Sequence, residues 1–157
     1  MTPKSVLVAV LVVLPAPALA QTIDVTGVWI YTPQIEVHSV ADDLTALHLS
    51  SVYDRFEPAS TDFPIPDASG KCFGAMLIRA GQASGSGNCH IIDGDGDMYI
   101  SDWIVEGMDA DRRTTGRWTL IGGTGKFSGA SGGGTFRSGQ DVSGAYKNEV
   151  TGEMTLN

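Results

Sequence analysis

Three imidazoles, two thiols and a run of alternating carboxylates are the groups through which this sequence could do chemistry. Asp93, Asp95 and Asp97 match the first half of an EF-hand calcium loop. That loop would need a glycine and a bidentate glutamate where the chain has Met98 and Ile104. An acidic hairpin turn is the simpler reading, with calcium held at an exposed turn as the alternative. His38, His48 and His90 match no zinc-ligand spacing, and His90 beside Cys89 lacks two further ligands nearby. His48 sits between Leu47 and Leu49, so on a strand it faces away from both. Turned into a barrel lumen it would be an acid or base near neutral pH; turned outward it is a solvated imidazole. No G-x-S-x-G nucleophile elbow occurs. The catalytic residues are therefore unknown, and no metal or cofactor is expected.

Cys72 and Cys89 are the only cysteines, and they flank Phe73 to Ile78 followed by turn formers over positions 80–85. An even pair across a hairpin reads as one structural disulfide in an oxidising compartment. Trp29, Tyr31, Tyr53, Trp103 and Trp118 could line a pocket with His48, or equally serve as core and end plugs.

Seven glycines fall among the fifteen residues from Gly122 to Phe136. The stretch looks like a phosphate cradle but fails both tests. Gly125-Lys126 is followed by Phe127 rather than Ser or Thr, and Ser128 stands where a G-x-G-x-x-G fingerprint needs its third glycine. Such a run suits sharp turns and close backbone approach instead.

Short β-branched and aromatic runs carry these residues: 24–31, 35–40, 44–53, 72–79, 87–92, 98–105 and 114–121. Positions 57–70, with Pro58, Pro64 and Pro66, read as a long loop. The Asp-Gly pairs after Ile92 suit a tight hairpin turn. The last segment alternates without a break, with Tyr146, Asn148, Val150, Gly152, Met154 and Leu156 on one face. No segment has helical periodicity over three turns. About eight strands between turn signals argue for an all-β antiparallel barrel or sandwich, and a barrel would hide its edges.

Residues 1–20 read as a secretory signal peptide: Lys4, an apolar run from Val6 to Leu14, and Ala18-Leu19-Ala20 as the cleavage signal before Gln21. The apolar run is too short to span a bilayer. Cleavage would leave residues 21–157 as a single domain, secreted or periplasmic, with no membrane span. Nine Lys and Arg then face eighteen Asp and Glu, a net charge of −9 that disfavours nucleic acid or an anionic membrane as partner.

With the strands in place, Leu120-Ile-Gly-Gly-Thr-Gly-Lys-Phe-Ser-Gly-Ala-Ser-Gly-Gly-Gly-Thr-Phe136 resembles the glycine signature of the allene oxide cyclase barrel-like proteins, and dirigent proteins carry a similar turn. The segment from Gly87-Asn-Cys89 through Asp97 to Trp103 is similar to exported bacterial members of that group. Thr26-Gly-Val-Trp29 also resembles the opening of calycin barrels and of small periplasmic barrel inhibitors. The resemblance implies a single eight-stranded antiparallel β-barrel with a central cavity, in a group that is frequently oligomeric. The N-terminal third departs from the plant enzymes, so their catalytic residues are not carried across to this chain. Three functions follow as expectations: a barrel binding a small apolar molecule in its lumen, an isomerase or cyclase folding a flexible apolar substrate there, or a periplasmic inhibitor or interaction barrel. Enzymatic activity is left open by the sequence, with binding the leading expectation.

Overall fold

The structure, a computed structural model, describes residues 20–156; the leader expected over residues 1–20 lies almost wholly outside them. Ten strands follow in order: β1 (Gln21–Asp24), β2 (Gly27–Thr32), β3 (Ile35–Ala41), β4 (Leu44–Pro58), β5 (Ser69–Arg79), β6 (Gln82–Ile92), β7 (Met98–Met108), β8 (Thr114–Gly123), β9 (Ser131–Gln140) and β10 (Tyr146–Leu156). Each ring neighbour is antiparallel. The path β2-β4-β5-β6-β7-β8-β9-β10 returns to β2, giving a closed barrel of eight strands. The expected fold class is the observed one.

Two strands lie outside that ring. β1 continues the seam of β2 along β10, with Gln21 opposite Leu156. β3 pairs only with the first half of β4, Ile35 opposite Leu49, after Pro33 has interrupted the run from β2. Every residue of β3 is exposed. It forms an edge beyond the mouth of the barrel.

Several boundaries differ from the sequence reading. The turn expected over 80–85 is only Ala80-Gly81, both at positive φ (48° and 78°), so β6 begins at Gln82. The loop expected over 57–70 is shortened to 59–68 by the lengths of β4 and β5. The second half of the glycine stretch is strand rather than turn: Gly132, Gly133 and Gly134 lie in β9 between β8 and β10. A Cβ on Gly134 would strike the Thr151 carbonyl oxygen, so bare backbone lets these strands close.

The turn after Ile92 is not a two-residue Asp-Gly turn. Asp93 Oδ1 accepts from the N–H groups of Asp95 and Asp97, and the left-handed residue is Gly96 (φ 88°). The same device recurs twice. Asp109 Oδ1 accepts from Asp111 and Arg113 N–H in the β7–β8 turn, and Asp141 Oδ1 accepts from Ser143 and Ala145 N–H in the β9–β10 turn. In each turn one carboxylate oxygen caps two backbone donors. The other reaches a cation from elsewhere: Lys126, Arg137 and Lys147 respectively. Those contacts hold Asp93, Asp109 and Asp141 below the usual carboxylate range. At Asp93 burial opposes the shift, and the Lys126 bond and the two N–H groups outweigh it.

Candidate functional site

Alternation on the strands sends Trp29 and Tyr31 (β2), Tyr53 (β4), Trp103 (β7) and Trp118 (β8) to one central cavity of about 230 Å³. Apolar surface dominates the wall, which also includes Leu49, Met76, Phe136, Val150 and Met154. The Trp103 indole needs room, and glycines supply it: a Cβ on Gly74 or Gly87 would collide with its Cζ2. Trp29 meets Tyr53 edge-on at 5.5 Å and Phe56 at 5.0 Å, while Tyr31 and Tyr53 stack at 5.0 Å with 10° between planes.

One end of the cavity is shut. Phe127, in the 3-10 turn Gly125–Phe127, is 0% exposed and lies 4.8 Å from the Tyr99 ring. Ile65 and Ala68 from the β4–β5 loop are buried beside the core. Lys126 pins the closure. Its ammonium is 2.7 Å from Asp93 Oδ2 and 2.6 Å from Asp95 Oδ2, and Asp97 Oδ2 accepts its backbone N–H at 3.2 Å. The carboxylates considered for calcium thus surround a lysine of the glycine signature, and a metal ion would have to displace it.

The polar groups gather toward the opposite end. Ser138 Oγ donates to the Tyr31 hydroxyl at 3.2 Å, and Asn148 Nδ2 donates to the Tyr53 hydroxyl at 3.2 Å. Asn148 Oδ1 is buried and has no hydrogen-bond partner. Burial pushes the Tyr53 phenol well above its ordinary range, with the neighbouring Tyr31 adding to it and the Asn148 bond opposing. Burial raises Tyr31 as well, against the Ser138 bond. Both are protonated phenols at neutral pH, able to donate and unable to act as bases.

Arg113 backs this cluster. It is 3% exposed, donates from Nη1 to Glu149 Oε1 at 2.7 Å and from Nη2 to the Arg137 carbonyl at 2.9 Å. That bond holds the Glu149 carboxylate below its usual range. It ties the start of β8 to β9 and β10 beside Ser138 and Asn148.

The cysteines form the disulfide Cys72–Cys89 between directly opposed residues of β5 and β6, on the cavity wall. His48 is placed differently from the lumen expectation. Odd-numbered neighbours Leu49, Ser51 and Tyr53 face the cavity, so His48 faces out, with 63% of its side chain exposed. There it meets Glu36, its register partner on β3, and His38. His90 also faces outward and contacts Met98 sulfur at 3.3 Å. Ser138, Asn148 and Arg113 were not singled out from sequence. Asn148 sits on the inward face of the alternating last segment, so its parity was a usable signal. Arg113 had none.

No family profile matches the chain, and no curated protein matches it. Among solved structures, a pterocarpan synthase dirigent protein aligns over 90% of this chain and 88% of that one, with a TM-score of 0.54 and 12% sequence identity. At that identity the likeness is one of fold, and it agrees with the dirigent and allene oxide cyclase-like barrel expected from the glycine signature.

Proposed function

We propose that the barrel binds one small, largely apolar molecule carrying a hydrogen-bond donor. The observation behind this reading is Asn148 Oδ1, a buried acceptor without a partner on the wall of a largely apolar cavity. Leaving such an acceptor unpaired costs roughly 1–3 kcal/mol, which a ligand hydroxyl or N–H would recover. The cavity of about 230 Å³ exceeds the roughly 150 Å³ apolar hole that takes up benzene. It falls short of the ~300 Å³ typical of drug-sized ligands. A one- or two-ring molecule fits that range. The protein acts outside the cytoplasm, as one domain of residues 21–157 released by cleavage after Ala20. The disulfide is compatible with this, and no helix among the described residues is long and apolar enough to cross a membrane.

The test is native mass spectrometry of the exported protein, followed by tryptophan-fluorescence titration with matched aromatic pairs that differ by one hydroxyl. The hydroxylated partner should bind about tenfold more tightly, the equivalent of roughly 1.4 kcal/mol. Equal affinity within each pair would remove the role given to Asn148.

A second reading is a ring-closing isomerase, favoured by the two protonated phenols at the cavity and by the name of the dirigent neighbour as a pterocarpan synthase. Tyr31 and Tyr53 would then donate to an oxygen of a folded substrate, and the walls would select its conformation. Turnover of a bound candidate that is lost in Tyr53→Phe while binding persists would separate this reading from binding alone.

A further inference from the structure

We propose that Glu36, His38 and His48 form a site for a borderline divalent transition ion, zinc(II) foremost, on the outer face of the β3–β4 hairpin. Glu36 and His38 are two apart on β3 and share one face, and His48 lies directly across from Glu36 on β4. Glu36 Oε2 is 3.8 Å from His48 Nδ1 and 3.9 Å from His38 Nε2, and the three donor atoms lie within 4.8 Å of one another. Donors about 2.0–2.1 Å from a common tetrahedral ion stand about 3.4 Å apart, so small rotations of three exposed side chains would complete the set. The next positions on this face are Ala46, opposite His38, and Ala75, opposite His48; neither obstructs an ion.

Two features distinguish this trio from an ordinary surface pair. The capping carboxylates Asp93, Asp109 and Asp141 face a lysine or arginine, whereas both ion-pair contacts of Glu36 among the described residues are with imidazoles. An imidazole can give up its proton and ligate, which an ammonium or guanidinium at neutral pH does not. Two imidazoles and one carboxylate also select zinc, cobalt, nickel or copper over calcium and magnesium, which prefer all-oxygen sets. β3 is an edge, so the fourth coordination position opens to water. The sequence hid the site because its ligands are brought together by strand register, ten positions apart, rather than by a local motif.

The test uses untagged protein titrated with cobalt(II) under visible absorption and with zinc(II) by calorimetry. One equivalent should bind, with the intense d–d bands of a four- or five-coordinate ion that zinc then abolishes. Loss of an outer partner alone weakens metal sites by about 10–100-fold, so His38→Ala, His48→Ala and Glu36→Gln should each cost at least ~10-fold in affinity. His90→Ala, on the same protein but another strand, should leave binding unchanged. All four residues are exposed, and far-ultraviolet circular dichroism checks that each variant is folded. Absence of stoichiometric binding, or binding that survives all three ligand substitutions, overturns the proposal.

Discussion

The two ends of the barrel solve opposite problems. The floor brings three distant stretches together, the β4–β5 loop, the acidic turn and the glycine signature, around a fully buried Phe127. The mouth leaves β3 in solvent, with Val37 62% and Val40 69% exposed, and sets Asn148 and Arg113 behind its tyrosines. Both ends are built from the same strands, so the difference lies in what their turns carry. At the floor the turn carboxylates meet a lysine that draws in a plug. Toward the mouth they meet arginine and lysine on β9 and β10, and the turns stay on the rim. Close packing is concentrated at one end and exposed edge at the other.

The strongest way to break that contrast is to remove the plug. Phe127→Ala should cost about 3–5 kcal/mol, read as a shifted urea midpoint at unchanged slope. A loss below about 1 kcal/mol would mean the floor can collapse around the hole. Reducing Cys72–Cys89 opens a loop of 17 residues and should cost about 3 kcal/mol. Lys126→Met should cost about 1–3 kcal/mol by stranding Asp93, whose side chain is wholly buried.

Acid sharpens the same point. Asp93, Asp109, Asp141 and Glu149 all titrate lower in the folded chain. The unfolded chain therefore takes up protons first. Their contribution is complete above the ordinary carboxylate range near pH 4 and is lost as the pH falls below it. The Lys126→Met deficit should shrink over that window, since a protonated Asp93 no longer needs the lysine. A deficit that is constant from pH 7 to pH 3 would show the lysine acting through its stem alone.

Toward the mouth the expected effects on folding are small. Asn148→Leu should cost about 1 kcal/mol, since stranding the buried Tyr53 hydroxyl is partly offset by the removal of an unpaired acceptor. Any hydroxyl-bearing ligand should lose about tenfold in affinity in the same variant. Val37→Lys on the open edge should stay within about 0.5 kcal/mol by thermal unfolding. A large loss there would mean that β3 is covered by something in solution.

The fold was more legible than the site because alternation is local. The inward face of β10 could be read directly, and it already contained Asn148. Trp29, Tyr31, Tyr53, Trp103 and Trp118 line the cavity because bulky aromatics on half-buried strands have few other places to go. Parity set His48 opposite Leu49 but left both its placements open, inward or outward, until Leu49 and Tyr53 had a side. Tertiary apposition left no trace in sequence. Lys126 meets Asp93 from 33 positions away, and Arg113 finds Glu149 across 36. The glycines of β9 misled in another way, since their composition signals turns while their contacts demand a strand that neighbours can approach closely.

The closure pattern has a consequence in time. From β4 to β10 each strand joins its immediate successor, through hairpins that local contacts can form early. Among the strand pairings of the described residues, only the seam of β1 and β2 on β10 joins positions more than a hundred apart, as Gly27 with Val150. Its loop-closure entropy is met only after the rest has assembled. That seam is the latch, and pulse-labelled hydrogen exchange should find the amides bonded across β2 and β10 protected last. A sheet with this seam unpaired would have two free edges, β10 and β2, and a lumen open from the side.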